Sequence, residues 1–69
     1  MSPYEFINKI FESKTSKSGG VVRRSVSDIE QLASSQYLIK EVRARGFHLI
    51  EGGGHYVIIC NSGRFSVLC

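Results

Sequence analysis

The chain has 69 residues, nine Lys or Arg against six Asp or Glu, and a formal net charge of +3. A chain this short buries only about 60% of the surface that its unfolded form exposes, so it is expected to form one small domain with no room for a deep cleft, which disfavours large-substrate enzymology. Its apolar fraction of 42% is ordinary for a globular domain and argues against disorder, while its longest apolar run, 56–60, is far too short to span a bilayer, so no membrane partner is expected.

The first element is marked by its start. Ser2 is a capping residue, Pro3 occupies the first helical position, and Glu5 completes a capping box, with Met1 and Phe6 placed as a hydrophobic staple. Phe6, Ile7, Ile10 and Phe11 recur at helical spacing and Glu5 can pair with Lys9, which predicts a helix over 3–13 whose aromatic stripe is core. Residues 1–15 carry Glu5 and Glu12 within an amphipathic pattern and lack a signal peptide's continuous apolar stretch; a cytoplasmic location is expected. The polar, glycine-ended stretch 14–20 reads as a loop, and 21–25 as a short strand with Arg23 and Arg24 on opposite faces.

Ser27, Asp28 and Glu30 open a second helix with another capping box, the acids lying at the positive end of its dipole. At 100° per residue the apolar stripe shifts by about 120° between Leu32 and Ala33 on one side and Leu38, Ile39 and Val42 on the other. Two short helices, 27–33 and 35–45, account for that shift most simply; one long helix with a wide buried face is the alternative, because Ser34-Ser35-Gln36 holds no Gly or Pro to enforce a break. The second ends at Gly46 with Arg43 and Arg45 in its last turn. Beyond it the period changes to two: 47–60 reads as a β-hairpin turning at Gly52, Gly53 and Gly54, and 64–69 as a third strand. The fold class is therefore α+β, three short helices with a C-terminal β-hairpin or three-stranded antiparallel sheet.

The charge is distributed unevenly along these elements. Lys14, Lys17, Arg23 and Arg24 form a stretch without an acid, Asp28 and Glu30 make the next helix acidic, and Lys40, Arg43 and Arg45 make the one after it basic. A polyanionic partner suits such an asymmetry. The side of helix 35–45 away from its apolar stripe carries Gln36, Tyr37, Lys40 and Ala44, with Arg43 and Glu41 at its flanks.

Metal and cofactor chemistry is not expected. His48, His55, Cys60 and Cys69 are separated by seven, five and nine residues, which matches no common ligand spacing, and alternation scatters them over different faces. No Ser-His-Asp or paired-carboxylate arrangement is readable, and the glycine run lacks the lysine and helix of a phosphate loop, so no catalytic residue is assigned. Two cysteines in apolar strands favour buried thiols in a reducing compartment; whether they pair is left open.

With its order of strand, helix, turn, helix and glycine-tipped hairpin, the segment 21–59 resembles the winged helix-turn-helix DNA-binding domains, especially the short ones of bacterial regulators and phage proteins. The likeness is carried by Leu38-Ile39-Lys40-Glu41-Val42-Arg43-Ala44-Arg45-Gly46-Phe47 and by Gly54-His55-Tyr56-Val57-Ile58. The turn between the two helices lacks the family's usual glycine, and the first of them is short. The resemblance implies a small non-enzymatic regulator or architectural factor with helix 35–45 in the major groove of duplex DNA. There Gln36 would read adenine, Lys40 or Arg43 would reach guanine or phosphate, and Ser34 and Ser35 would donate to a backbone phosphate beside a half-buried Tyr37. Arg23 and Arg24, with Lys14 and Lys17, would add sequence-independent affinity.

The segment 28–69 also resembles the HicA family of small mRNA-cleaving toxins through Gly46 and Gly53-Gly54-His55. That resemblance implies His55 as catalytic acid or base, with Lys40 or Arg43 holding RNA. The family's second histidine is replaced by Tyr56 and its closing helix has no counterpart within 69 residues. A third reading is a protein-interaction module or inhibitor using 64–69 or the Phe6 and Phe11 stripe, and a homodimer or protein partner is compatible with all three.

Overall fold

The computed structural model describes residues 2–69, so the staple expected from Met1 lies outside the described residues. The protein is an α+β domain in which α1 (Pro3–Glu12), α2 (Lys14–Lys17), β1 (Val21–Ser25), α3 (Val26–Leu32), α4 (Ser35–Ala44), β2 (His48–Gly52) and β3 (His55–Ile59) follow in order. The three strands form one antiparallel sheet of order β1-β3-β2.

Local chemistry sets most boundaries. The Ser2 hydroxyl accepts from the Glu5 N–H at 3.1 Å and Pro3 begins α1, whose Ile7, Ile10 and Phe11 are buried. Among the described residues the one ion pair is Arg45–Glu41, so the Glu5–Lys9 pair expected on α1 does not close. The stretch 14–20 is not wholly loop. Ser13 ends α1 and caps α2, its hydroxyl accepting from the Ser16 N–H at 3.2 Å, and Ser16 is buried. This one-turn helix adds a fourth helix to the three expected.

The second capping box is also displaced. Ser25, not Ser27, caps α3, its hydroxyl accepting from the Asp28 N–H at 3.0 Å. The Val26 N–H donates to the Gly54 carbonyl at 2.9 Å, so the β1–β3 ladder carries the chain up to the residue where the helix begins. Both Ser25 and Ser27 stand three residues before an acid; the ladder selects the earlier one.

Ala33 and Ser34 leave helical geometry (φ −152°, ψ −129° and φ −154°, ψ 148°), which breaks α3 from α4. At the far end of α4 the Gly46 N–H donates to the Arg43 carbonyl and the Phe47 N–H to the Val42 carbonyl, each at 3.0 Å. Gly46 has φ +70°, so this is a Schellman ending with glycine in its left-handed position. Gly53 and Gly54 both have positive φ and close a two-residue hairpin between β2 and β3, the conformation a type I′ turn demands.

The core joins Ile7, Ile10 and Phe11 of α1 to Ile29 of α3, Leu38 and Val42 of α4, and Val22, Tyr56 and Ile58 of the sheet, with Cys60 just beyond β3. The expected strand at 64–69 is absent. The third strand of the sheet is β1, which takes the place beside β3, and 64–69 is irregular and exposed although its apolar residues alternate.

Candidate nucleic-acid interface

The basic helix α4 lies against the sheet through Leu38 and Val42, both buried, and presents Gln36, Lys40, Arg43 and Ala44 to solvent. Ile39, expected in the buried stripe, is 39% exposed. It sits at the rim of a groove between α4 and β2 shared with Val42, Arg43, Phe47, Leu49, Glu51 and Tyr56. Its position on the helix, turned from Leu38 by one residue step of 100°, explains why the sheet covers it only in part.

The first turn of α4 is held from two directions. The Ser34 hydroxyl accepts from the Tyr37 N–H at 3.1 Å and so caps the helix. The Tyr56 hydroxyl, from the middle of β3, donates to Ser35 Oγ at 2.7 Å. A hydroxyl that accepts still has its own hydrogen to give, so Ser34 and Ser35 keep donor capacity toward an outside acceptor. Sequence reasoning gave Tyr56 no part in holding α4; that role depends on a contact between positions 21 apart, which has no local signal.

Tyr37 stands between α4 and α1, its ring edge-on to Tyr4 with centroids 5.0 Å apart. Together with Pro3, Ala33, Ser34, Gln36 and Lys40 these two rings line a shallow groove beside the amino end of α4. Partial burial and then the Glu41 carboxylate push the Tyr37 phenol above its ordinary value, so it stays neutral and keeps its O–H at physiological pH.

Charge on α4 is sorted by contact. Arg45 bonds the Glu41 carboxylate and carbonyl, at 3.0 and 3.1 Å, and its guanidinium lies 4.1 Å from the centre of the Phe11 ring. Arg45 and Glu41 thus satisfy each other, whereas Lys40 and Arg43 are exposed with no ion-pair partner among the described residues. Asp28 and Glu30 are exposed on α3, a separate helix.

The two arginines of β1 part company. Arg24 is opposite Tyr56 in the β1–β3 register and therefore on the sheet face that α4 covers, whereas Arg23 is opposite Val57 and on the other face. Lys14 and Lys17 are exposed on α2, which packs on α1 and β1. Sequence reasoning placed Arg23 and Arg24 in one interface with α4; the sheet brings only Arg24 to that side.

His55 opposes Ser25 and Gly52, in alternation with the buried Tyr56, so it belongs to the outer face and is not gathered with Lys40 and Arg43. Cys60 is buried and Cys69 exposed, both as free thiols. Among the described residues no cluster of three or more His, Cys, Asp or Glu is placed to hold a metal ion, and no helix is long and apolar enough to cross a membrane. Comparison of the chain with protein-family models, with curated proteins and with solved structures finds no match.

Proposed function

We propose that the chain is a small non-enzymatic protein that binds duplex DNA through α4, acting in the cytoplasm as a transcriptional regulator or architectural factor of the phage or mobile-element kind. The observation that carries the reading is α4 itself: a helix of ten residues with Gln36, Lys40 and Arg43 all solvent-facing and both cations unpaired among the described residues, while the remaining pair, Arg45 and Glu41, is tied back onto the helix. An α-helix is about 10–12 Å across with its side chains, which the ~12 Å width of the major groove of B-DNA admits. The order strand, helix, helix, hairpin from β1 onward, with β1 beside the returning strand β3, also suits the winged-helix resemblance.

In this reading Lys40 and Arg43 contact guanine edges or phosphate, Gln36 reaches adenine, and Ser34 and Ser35 donate to a phosphate beside the amino end of α4, with Tyr37 against the sugar-phosphate backbone. Arg24 adds charge from the same side, and Arg23 contributes only to the long-range field.

Titration of the protein into a fluorescent random-sequence duplex at several salt concentrations tests this. Binding should weaken as salt rises, and replacing both Lys40 and Arg43 by Ala should reduce the salt slope by about 2, roughly one per lost phosphate contact. No binding at low salt, a slope unchanged by the double substitution, or tighter binding to an RNA hairpin than to DNA would overturn the assignment.

A further inference from the structure

We propose that the groove between α1 and the amino end of α4 is a site for one unstacked nucleobase and the phosphate attached to it, supplied by an unpaired position in a nucleic-acid strand or by a free nucleotide. Its first ring is placed by the helical period. Tyr4 stands one turn before Ile7 and so continues the buried stripe of α1 past the edge of the core, where it is 62% exposed. The Tyr37 ring of α4 meets it at 80°, with centroids 5.0 Å apart. Two rings at nearly a right angle leave a corner: a flat group stacked on the ring that gives its edge meets the face of the other with its own edge.

The groove around this corner has a volume of about 420 Å³, within the range of small-ligand sites, and its polar groups are few. Gln36 and Lys40 are exposed one turn apart on the same side of α4, and Ser34 lies where that helix begins. A carboxamide accepts and donates at once, as the edge of a base requires, and an ammonium is a compact charge for a phosphate.

Charge selects the occupant. Among the described residues that line the groove, Lys40 is the one charged group and no carboxylate is present. Glu41, whose charge reaches Tyr37, is held by Arg45 at 3.0 Å. Two aromatic rings beside an unopposed cation suit a flat anionic ligand. An extended peptide is served less well, because the walls come from α1, the α3–α4 turn and α4 and offer it no strand edge. Stacking accepts any base, since every base has a π-face, and the Gln36 amide favours adenine. The strand form of the proposal rests on the DNA-binding reading, in which Tyr37 lies against the sugar-phosphate backbone, and adds an unpaired base to it; the free-nucleotide form does not rest on that reading.

Two measurements on the full chain test the site. In a fluorescence titration the parent should bind a duplex with one bulged adenine at least ~5-fold more tightly than the same duplex fully paired. Tyr4→Phe should keep that preference, and Tyr4→Ala, a change at an exposed position outside the core, should reduce it below about twofold. Amide spectra of the parent with dAMP alone should show shifts gathered at Tyr4, Gln36, Tyr37 and Lys40 that Tyr4→Ala abolishes. A bulge preference that Tyr4→Ala removes assigns the groove to an unpaired base of a strand. A dAMP response with equal duplex affinities assigns it to a free nucleotide, and a dAMP response with no duplex binding does the same while overturning the DNA-binding reading. Equal duplex affinities with no dAMP response overturn the proposal, leave the DNA-binding reading standing and leave the groove to a protein; a bulge preference that survives Tyr4→Ala overturns it as well.

Discussion

On the inner face of the sheet, Val22, Tyr56 and Ile58 lie beneath α1, α3 and α4 and are at most 7% exposed; on the outer face, Val21, Val57, Ile59 and Ile50 are of much the same residue types and more exposed, with no helix among the described residues packed in that core. An antiparallel sheet with one wet face ordinarily alternates apolar and polar side chains. β3 does not: Tyr56, Val57, Ile58 and Ile59 follow one another, a run suited to a strand covered on both sides. Residue type thus says how a strand wishes to be buried, and only the rest of the fold says which half of that burial the single chain provides.

Substitutions on the two faces put numbers on the difference. Ile58 is fully buried at the centre of the middle strand, so Ile58→Ala removes apolar contact and leaves a cavity among Ile7, Ile29 and Leu38. The expected cost is about 2–5 kcal/mol, measured by urea denaturation, a loss that a chain of this size survives only in part. Ile50→Ala on the outer face of β2 should cost well under half as much at dilute concentration. Equal costs at the two positions would mean that the outer face is already covered within one chain.

The inner layer was the more legible of the two. Helical spacing picked out Ile7, Ile10 and Phe11, and the shifted stripe between Ala33 and Leu38 placed the break at Ser34, because burial against one partner leaves a period in the sequence. Ile39 went astray because a groove, not a helix, adjoins it. The turn α2 was missed for a different reason: Lys14, Thr15, Ser16 and Lys17 contain no apolar residue, and its stability comes from Ser13 capping it. The alternation of Phe65, Val67 and Cys69 suggested a strand, but a strand exists only with a ladder partner, and β1 already holds the free side of β3.

At the candidate interface the pattern is similar. The outward set of Gln36, Lys40 and Arg43 was visible from the helical period, and the opposite faces of Arg23 and Arg24 from strand alternation. Leu38 and Val42, which seat α4 on the sheet, were visible too, but the polar and charged contacts that fix its ends were not. Those contacts are long-range, Tyr56 to Ser35 and Arg45 over Phe11, and neither has a spacing rule.

The Tyr56 contact gives the intermediate test. Tyr56→Phe keeps the ring in the core and removes only the hydroxyl that donates to Ser35 Oγ at 2.7 Å. The group is partly buried and Ser35 retains access to water, so the cost should be about 0.5–1.5 kcal/mol, the usual net worth of one hydrogen bond. A larger loss would mean that the hydroxyl organises the whole first turn of α4, and amide exchange at Gln36 and Tyr37 would then quicken along with it. No loss would place the weight of the inner face on its apolar contacts alone.

The smallest effect is expected at the rim of the outer face. Val21→Thr replaces a methyl by a hydroxyl on an edge strand, at a position open to solvent and facing no helix, and Thr keeps the β-branched shape that suits a strand. Stability should change by no more than about 0.5 kcal/mol, measured by urea denaturation. A loss as large as that of Tyr56→Phe would show that Val21 already has a partner within its own fold.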